Sequence, residues 1–172
     1  MTVATTSHLE ATVDHSHPND IFIDAGGLQV EQATLVIDGD STLNGAHNGS
    51  VCVHNGTLTI VQGATHNGSL AVQPGAQVAI HGAQNGSLTI GADATGEVRG
   101  AQNGSVHVDA GGVLRVAVGG RLAGSLSVAG LIENAGVRGG TVTKYGGTVI
   151  DLPGSTVKEP QVGANGAKIF HW

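Results

Sequence analysis

The stretch Gly82-Ala-Gln-Asn-Gly-Ser-Leu-Thr-Ile90 returns eighteen residues on as Gly100-Ala-Gln-Asn-Gly-Ser-Val-His-Val108. Its Asn-Gly-Ser centre also stands further upstream, so the four starts, Asn48, Asn67, Asn85 and Asn103, lie 19, 18 and 18 residues apart. After each comes an aliphatic-x-aliphatic triplet: Val51/Val53, Leu70/Val72, Leu88/Ile90 and Val106/Val108. A worn copy, Ala123-Gly-Ser125, leads into Leu126/Val128. A short, constant period of this kind marks one structural unit stacked on the next.

Each period carries a second alternating strand after a short turn: Leu58/Ile60, Val78/Ile80, Val98 alone, then Leu114/Val116. Alternation with period 2 reads as half-buried strand rather than helix. A small-residue segment closes the period, with Ala46, Ala64, Ala83 and Ala101 expected to line it. Glycines at 49, 63, 68, 82, 86, 100 and 104 fall at the corners, where positive φ costs glycine little. Three faces per turn, two aliphatic and one alanine-lined, predict an all-β fold: a single-stranded, triangular parallel β-solenoid.

Degraded copies extend the pattern. Ile21/Ile23 and Leu35/Ile37 read as earlier rungs, and Val142 with Val149 to Leu152 as the last, giving seven to eight rungs in all. The expected organisation is a polar N-terminal tail over 1–19, the solenoid over 20–152, and a C-terminal tail or cap over 153–172. A single rung cannot stand alone. Its few aliphatic side chains contribute about 1.5–3 kcal/mol each, against about 1–2 kcal/mol per residue of backbone ordering. Stacking on neighbouring rungs must supply the difference.

Composition narrows the function. Glycine numbers 29 of 172, in register with aliphatics, which separates the chain from a disordered linker. The net charge of -6 argues against a nucleic-acid binder, and no apolar run approaches the ~20 residues of a membrane span. Residues 1–20 are polar and lack a secretory layout. Cys52 is the only cysteine and alternation points it outward, a thiol easiest to keep in a reducing cytoplasm. The Asn-Gly-Ser/Thr triplets, Asn55 included, therefore read as turn chemistry rather than glycosylation acceptors.

Chemistry-bearing clusters are scarce. Asn48, Asn67, Asn85 and Asn103 should stack as a structural amide ladder. His47 and His66 should stack at one corner, followed in the same column by Gln84 and Gln102. Two imidazoles fall short of the three or four ligands zinc requires, so a polar corner ladder is expected and no metal or cofactor. His15 and His17 beside Asp14 are a weaker metal signal still. From Asn48 to Leu122 the only carboxylates are Asp93, Glu97 and Asp109, with no aromatic, which argues against a carbohydrate-active enzyme. The outward rank Ser50, Ser69, Ser87, Ser105 and Ser125 invites an ice-binding reading, but its companion Cys52, Ala71, Thr89, His107 and Ser127 is irregular.

Val78-Ala-Ile-His-Gly-Ala-Gln-Asn-Gly-Ser-Leu-Thr-Ile90 and Val116-Ala-Val-Gly-Gly-Arg-Leu-Ala-Gly-Ser-Leu-Ser-Val128 share a cadence of strand, glycine, spacer, glycine, strand. Over roughly Val72 to Val142 that cadence resembles the bactofilins, the polymer-forming bacterial cytoskeletal proteins. The resemblance implies a right-handed triangular β-helix that joins end to end into nucleotide-free filaments, with polar tails.

Exposed solenoid ends template another copy unless covered. Ile21, Phe22 and Ile23 at one end, and Val149 and Ile150 at the other, are the expected mating surfaces of a homo-oligomer or filament. In the competing reading, residues 1–20 or the segment with Ile169, Phe170 and Trp172 cap a discrete rod that binds one partner protein. Both readings are non-enzymatic.

Overall fold

The computed structural model describes residues 20–22, 34–162 and 168–169, the first and last of these as backbone strands only. No helix occurs among the described residues. The chain winds through three parallel sheets as a β-solenoid of about 7 turns, with roughly 18 residues per turn.

Going round the coil, the first sheet contains Ser50–Asn55, Leu70–Val72, Leu88–Ile90, Val106–Val108 and Leu126–Val128, with Thr34–Asp38 and Val142–Lys144 at its edges. The second runs from Asp20–Phe22 through Ser41–Asn44, Thr57–Ile60 and Gln77–Ile80 to Thr148–Asp151. The third is built from shorter strands, from Ala46–Asn48 and Thr65–Asn67 through Ala83–Gln84 to Thr156–Val157. Pairing Thr156–Val157 with Val137–Arg138 carries the coil past the boundary expected at residue 152. Beyond it, Gln161–Val162 and Lys168–Ile169 pair antiparallel.

Register explains the repeat. Val51 faces Leu70, Leu70 faces Leu88 and Leu88 faces Val106, each at most 2% exposed, in one interior file. The second sheet adds Ile60, Ile80, Val98 and Val116 in another. Every copy thus places the same aliphatic position over its predecessor, where burial contributes about 1.5–3 kcal/mol per side chain. The weakest copy has a packing reason. Gly96 stands in the file between Val78 and Leu114. Leu114 Cδ1 and Ile90 Cδ1 would lie 2.8 and 2.9 Å from a β-carbon there.

The corners correct one expectation. Gly49 and Gly63 have positive φ, +128° and +86°. Gly68, Gly86 and Gly104 lie outside the left-handed region. A β-carbon on each would overlap the carbonyl oxygen of the glycine one turn below. Close stacking of backbones, rather than turn conformation, excludes side chains from this column.

Candidate functional site

The third sheet differs from expectation in which residues face the core. Ala46, Thr65, Ala83 and Ala101 pair in register on its half-buried or exposed outer side, while Ala64 sits one residue before that column as part of the buried core. The inward file is His47, His66, Gln84, Gln102, Leu122 and Arg138. The column expected as a polar corner ladder is therefore interior: His66, Gln84 and Gln102 are 0% exposed. Two-residue strands such as Ala83–Gln84 offer no alternation from which to read the inward side.

Burial obliges these polar atoms to find partners. Gln84 Nε2 donates to the Gly68 carbonyl at 2.8 Å and to the Ser87 carbonyl at 3.2 Å, which fixes its amide orientation. Its Oε1 then faces His66 Nδ1, while His66 Nε2 lies 2.9 Å from the Gly49 carbonyl oxygen. Both ring nitrogens thus lie against protein oxygen atoms. The His47 ring stacks on His66 with centroids 5.1 Å apart. Burial, and secondarily the neighbouring His66, push the His47 pKa below its ordinary value of 6.5. His47 Nδ1 and Gln102 Oε1 are enclosed without a hydrogen-bond partner among the described residues.

The asparagines form a ladder on the outer corner. Asn67 Nδ2 donates to Asn48 Oδ1, Asn85 Nδ2 to Asn67 Oδ1 and Asn103 Nδ2 to Asn85 Oδ1, each at 2.8 Å. Beside it, Ser69 Oγ donates to Ser50 Oγ at 2.8 Å. His107 interrupts the companion rank and pairs with Asp109 at 2.8 Å. A groove of about 660 Å³ crosses the third sheet, lined by Thr65, His81, Ala83, Ala101, Arg121 and Lys158 among others. Its lining holds no carboxylate or thiol. Among the described residues no three His, Cys, Asp or Glu side chains come together to hold a metal ion. Among the described residues no helix is long and apolar enough to cross a membrane.

The C-terminal turn holds the densest chemistry, and sequence reasoning missed it. Its interior files change character. Val128 is followed in register by Lys144, Val116 by Asn134 and then Asp151, and Leu122 by Arg138. Arg138 grips Asp151 with Nε at 2.7 Å and Nη2 at 2.6 Å, and Asn134 Nδ2 donates to Asp151 Oδ1 at 2.9 Å. These contacts, led by the Arg138 hydrogen bond, hold the Asp151 carboxyl below its ordinary value of 3.8. Around them Tyr145, Ile150, Leu152 and Val157 are exposed.

Residues expected at the ends fall out as follows. Val149 packs against the core, whereas Ile150 is 41% exposed and shares the outer column of Glu133. Ile21 and Phe22 lie on the outermost strand of the second sheet, in register with Leu43 and Asn44. Ile169 pairs with Gln161 in the antiparallel ribbon. Ile23, Phe170 and Trp172 lie outside the described residues.

Comparison with protein-family models, with curated proteins and with solved structures returned no match in any of the three.

Proposed function

We propose that this chain is a non-enzymatic structural protein that self-associates end to end into nucleotide-independent filaments or scaffolds, in the manner the bactofilin resemblance implies. One observation carries the reading. The last turn ends in three strands, Val142–Lys144, Thr148–Asp151 and Thr156–Val157, each the terminal member of its sheet. Among the described residues no strand pairs with their outer edges, which lie beside exposed Tyr145, Leu152 and Val157. Such an edge accepts another strand at the ordinary spacing of about 4.8 Å. The free thiol of Cys52 supports a reducing, cytoplasmic setting for the assembly.

A capped rod that binds one partner protein is the second reading. Lys144 and Asp151 favour it, because they place charge in files where a stacked copy would otherwise extend an aliphatic core. Light scattering and negative-stain microscopy of the purified protein separate the two. Large assemblies without nucleotide, weakened by Ile150→Glu or Phe22→Glu, support the filament. A monodisperse monomer at high concentration supports the rod.

A further inference from the structure

We propose that Asn55-Gly56 is a site of self-modification, where the asparagine side chain loses ammonia through a cyclic imide and leaves aspartate or isoaspartate. The site goes beyond the end-to-end reading and does not depend on it. Seven asparagines of the chain precede a glycine: Asn44, Asn48, Asn55, Asn67, Asn85, Asn103 and Asn165. Glycine carries no β-carbon to crowd the approach of an asparagine carboxamide to the next backbone nitrogen. At such a pair the glycine nitrogen gives up its proton and bonds to the asparagine Cγ, and the Cγ–Nδ2 bond breaks as ammonia leaves. Water then opens the ring at either carbonyl, giving aspartate, or isoaspartate with the main chain routed through the β-carbon. The net change is one water consumed and one ammonia released.

Identical dipeptides are held differently by the coil. Asn48, Asn55, Asn67, Asn85 and Asn103 are all exposed, so access to water does not separate them. Within the ladder Asn67 and Asn85 each donate through Nδ2 to the asparagine of the preceding turn and accept at Oδ1 from that of the following turn. Asn48 and Asn103, at the ladder's ends, each keep one such bond. A carboxamide must break these bonds before it can swing onto the backbone. Asn55 stands outside the ladder, at the turn between Ser50–Asn55 and Thr57–Ile60, and its side chain makes no hydrogen bond among the described residues. Asn44 is also unbonded through its side chain there, but it is half-buried on a strand covered by Asp20–Phe22, which ranks it second. Asn165 lies outside the described residues.

The surroundings give the change an effect. Asn55 is in register with Asp38 across the first sheet, and Asp40 Oδ1 accepts the Thr57 backbone N–H at 2.9 Å just beyond it. A carboxylate at position 55 faces Asp38, and like charges directly opposite each other destabilise a strand pair. Isoaspartate adds a backbone methylene beside Gly56, where a β-carbon would already lie 2.4 Å from the Gly39 carbonyl carbon. Both products loosen the hold of Thr34–Asp38 on Ser50–Asn55, which makes the site a slow charge switch in the first turns of the coil.

The test incubates the folded full chain in warm, mildly alkaline buffer and maps amide-to-acid conversion by mass spectrometry, with a urea-unfolded sample alongside. Conversion at Asn55 should run at least roughly tenfold faster than at Asn67 or Asn85 in the folded chain, and the gap should close in urea. Tenfold in rate equals about 1.4 kcal/mol, the scale of one or two net hydrogen bonds. Asn85→Ser takes the acceptor from Asn103 and the donor from Asn67, so it should speed conversion at both and leave Asn55 unchanged. Equal folded-state rates at Asn55, Asn67 and Asn85 overturn the site. A gap that persists in urea, or no gain in Asn85→Ser, overturns the ladder as the shield. Asn55→Asp should lower the urea midpoint and Asp38→Asn should recover part of the loss, and an unchanged midpoint overturns the switch. Whether the protein assembles bears on none of these outcomes.

Discussion

Arg138 meets Asp151 in a two-pronged contact, Nε to Oδ1 at 2.7 Å and Nη2 to Oδ2 at 2.6 Å, across the last two turns of the coil. The pair sits where the interior files end, so it ties the terminal turn to the penultimate one. Arg138→Leu leaves the carboxylate with Asn134 as its remaining side-chain donor. The expected cost is about 1–2 kcal/mol in urea denaturation, allowing for screening of the partly exposed pair. Because the folded-state Asp151 pKa is lowered, its contribution is present above the ordinary 3.8 and fades as pH falls through the folded-state value. The difference between wild type and Arg138→Leu should therefore shrink below pH 3.8. A difference that stays constant through that range would refute the assignment.

Gln84 and Gln102 occupy one file but should not be equivalent. Gln84→Leu deprives His66 Nδ1 of its acceptor and the Gly68 and Ser87 carbonyls of a donor, and should cost about 2–4 kcal/mol. Gln102→Leu also removes an enclosed oxygen that has no partner and extends the file begun by Leu122, so its cost should be at least about 1 kcal/mol smaller. Equal denaturation midpoints for the two variants would contradict the hydrogen-bond pattern.

Two glycine-to-alanine changes separate backbone stacking from side-chain packing. At Gly96 the neighbours are flexible side-chain ends at 2.8 to 3.3 Å, so Gly96→Ala should cost about 1–3 kcal/mol, as overpacking does. At Gly68 the obstacle is the Gly49 backbone, which cannot give without parting the turns. Gly68→Ala should be the more damaging, although Gly68 is the less buried of the two. Thermal unfolding of both variants decides the order.

His47 makes the N-terminal turns sensitive to acid. Its folded-state pKa is lowered, so below pH 6.5 the unfolded chain takes up a proton before the folded one does. Stability should fall as pH drops from 6.5 toward the folded-state value, then level off. His47→Gln should flatten that part of the profile relative to wild type. Urea midpoints at successive pH values across the window provide the comparison, and an unchanged profile in the variant would exclude His47 as the source.

The sequence by itself determined the coil. A period of 18 or 19 residues with alternating aliphatics leaves Val51, Leu70, Leu88 and Val106 one burial solution, and the same spacing brings Asn48, Asn67, Asn85 and Asn103 into hydrogen-bonding reach. Only the tertiary structure decided which residues of the third face look inward. A two-residue strand has no alternation, so the corners on either side set its facing and turn Gln84 and Gln102 in while Ala83 and Ala101 look out. The same holds at the C-terminal end. Lys144 and Asp151 inherit interior positions through register with Val128 and Asn134, a relation that exists once the turns have stacked and that no local pattern records.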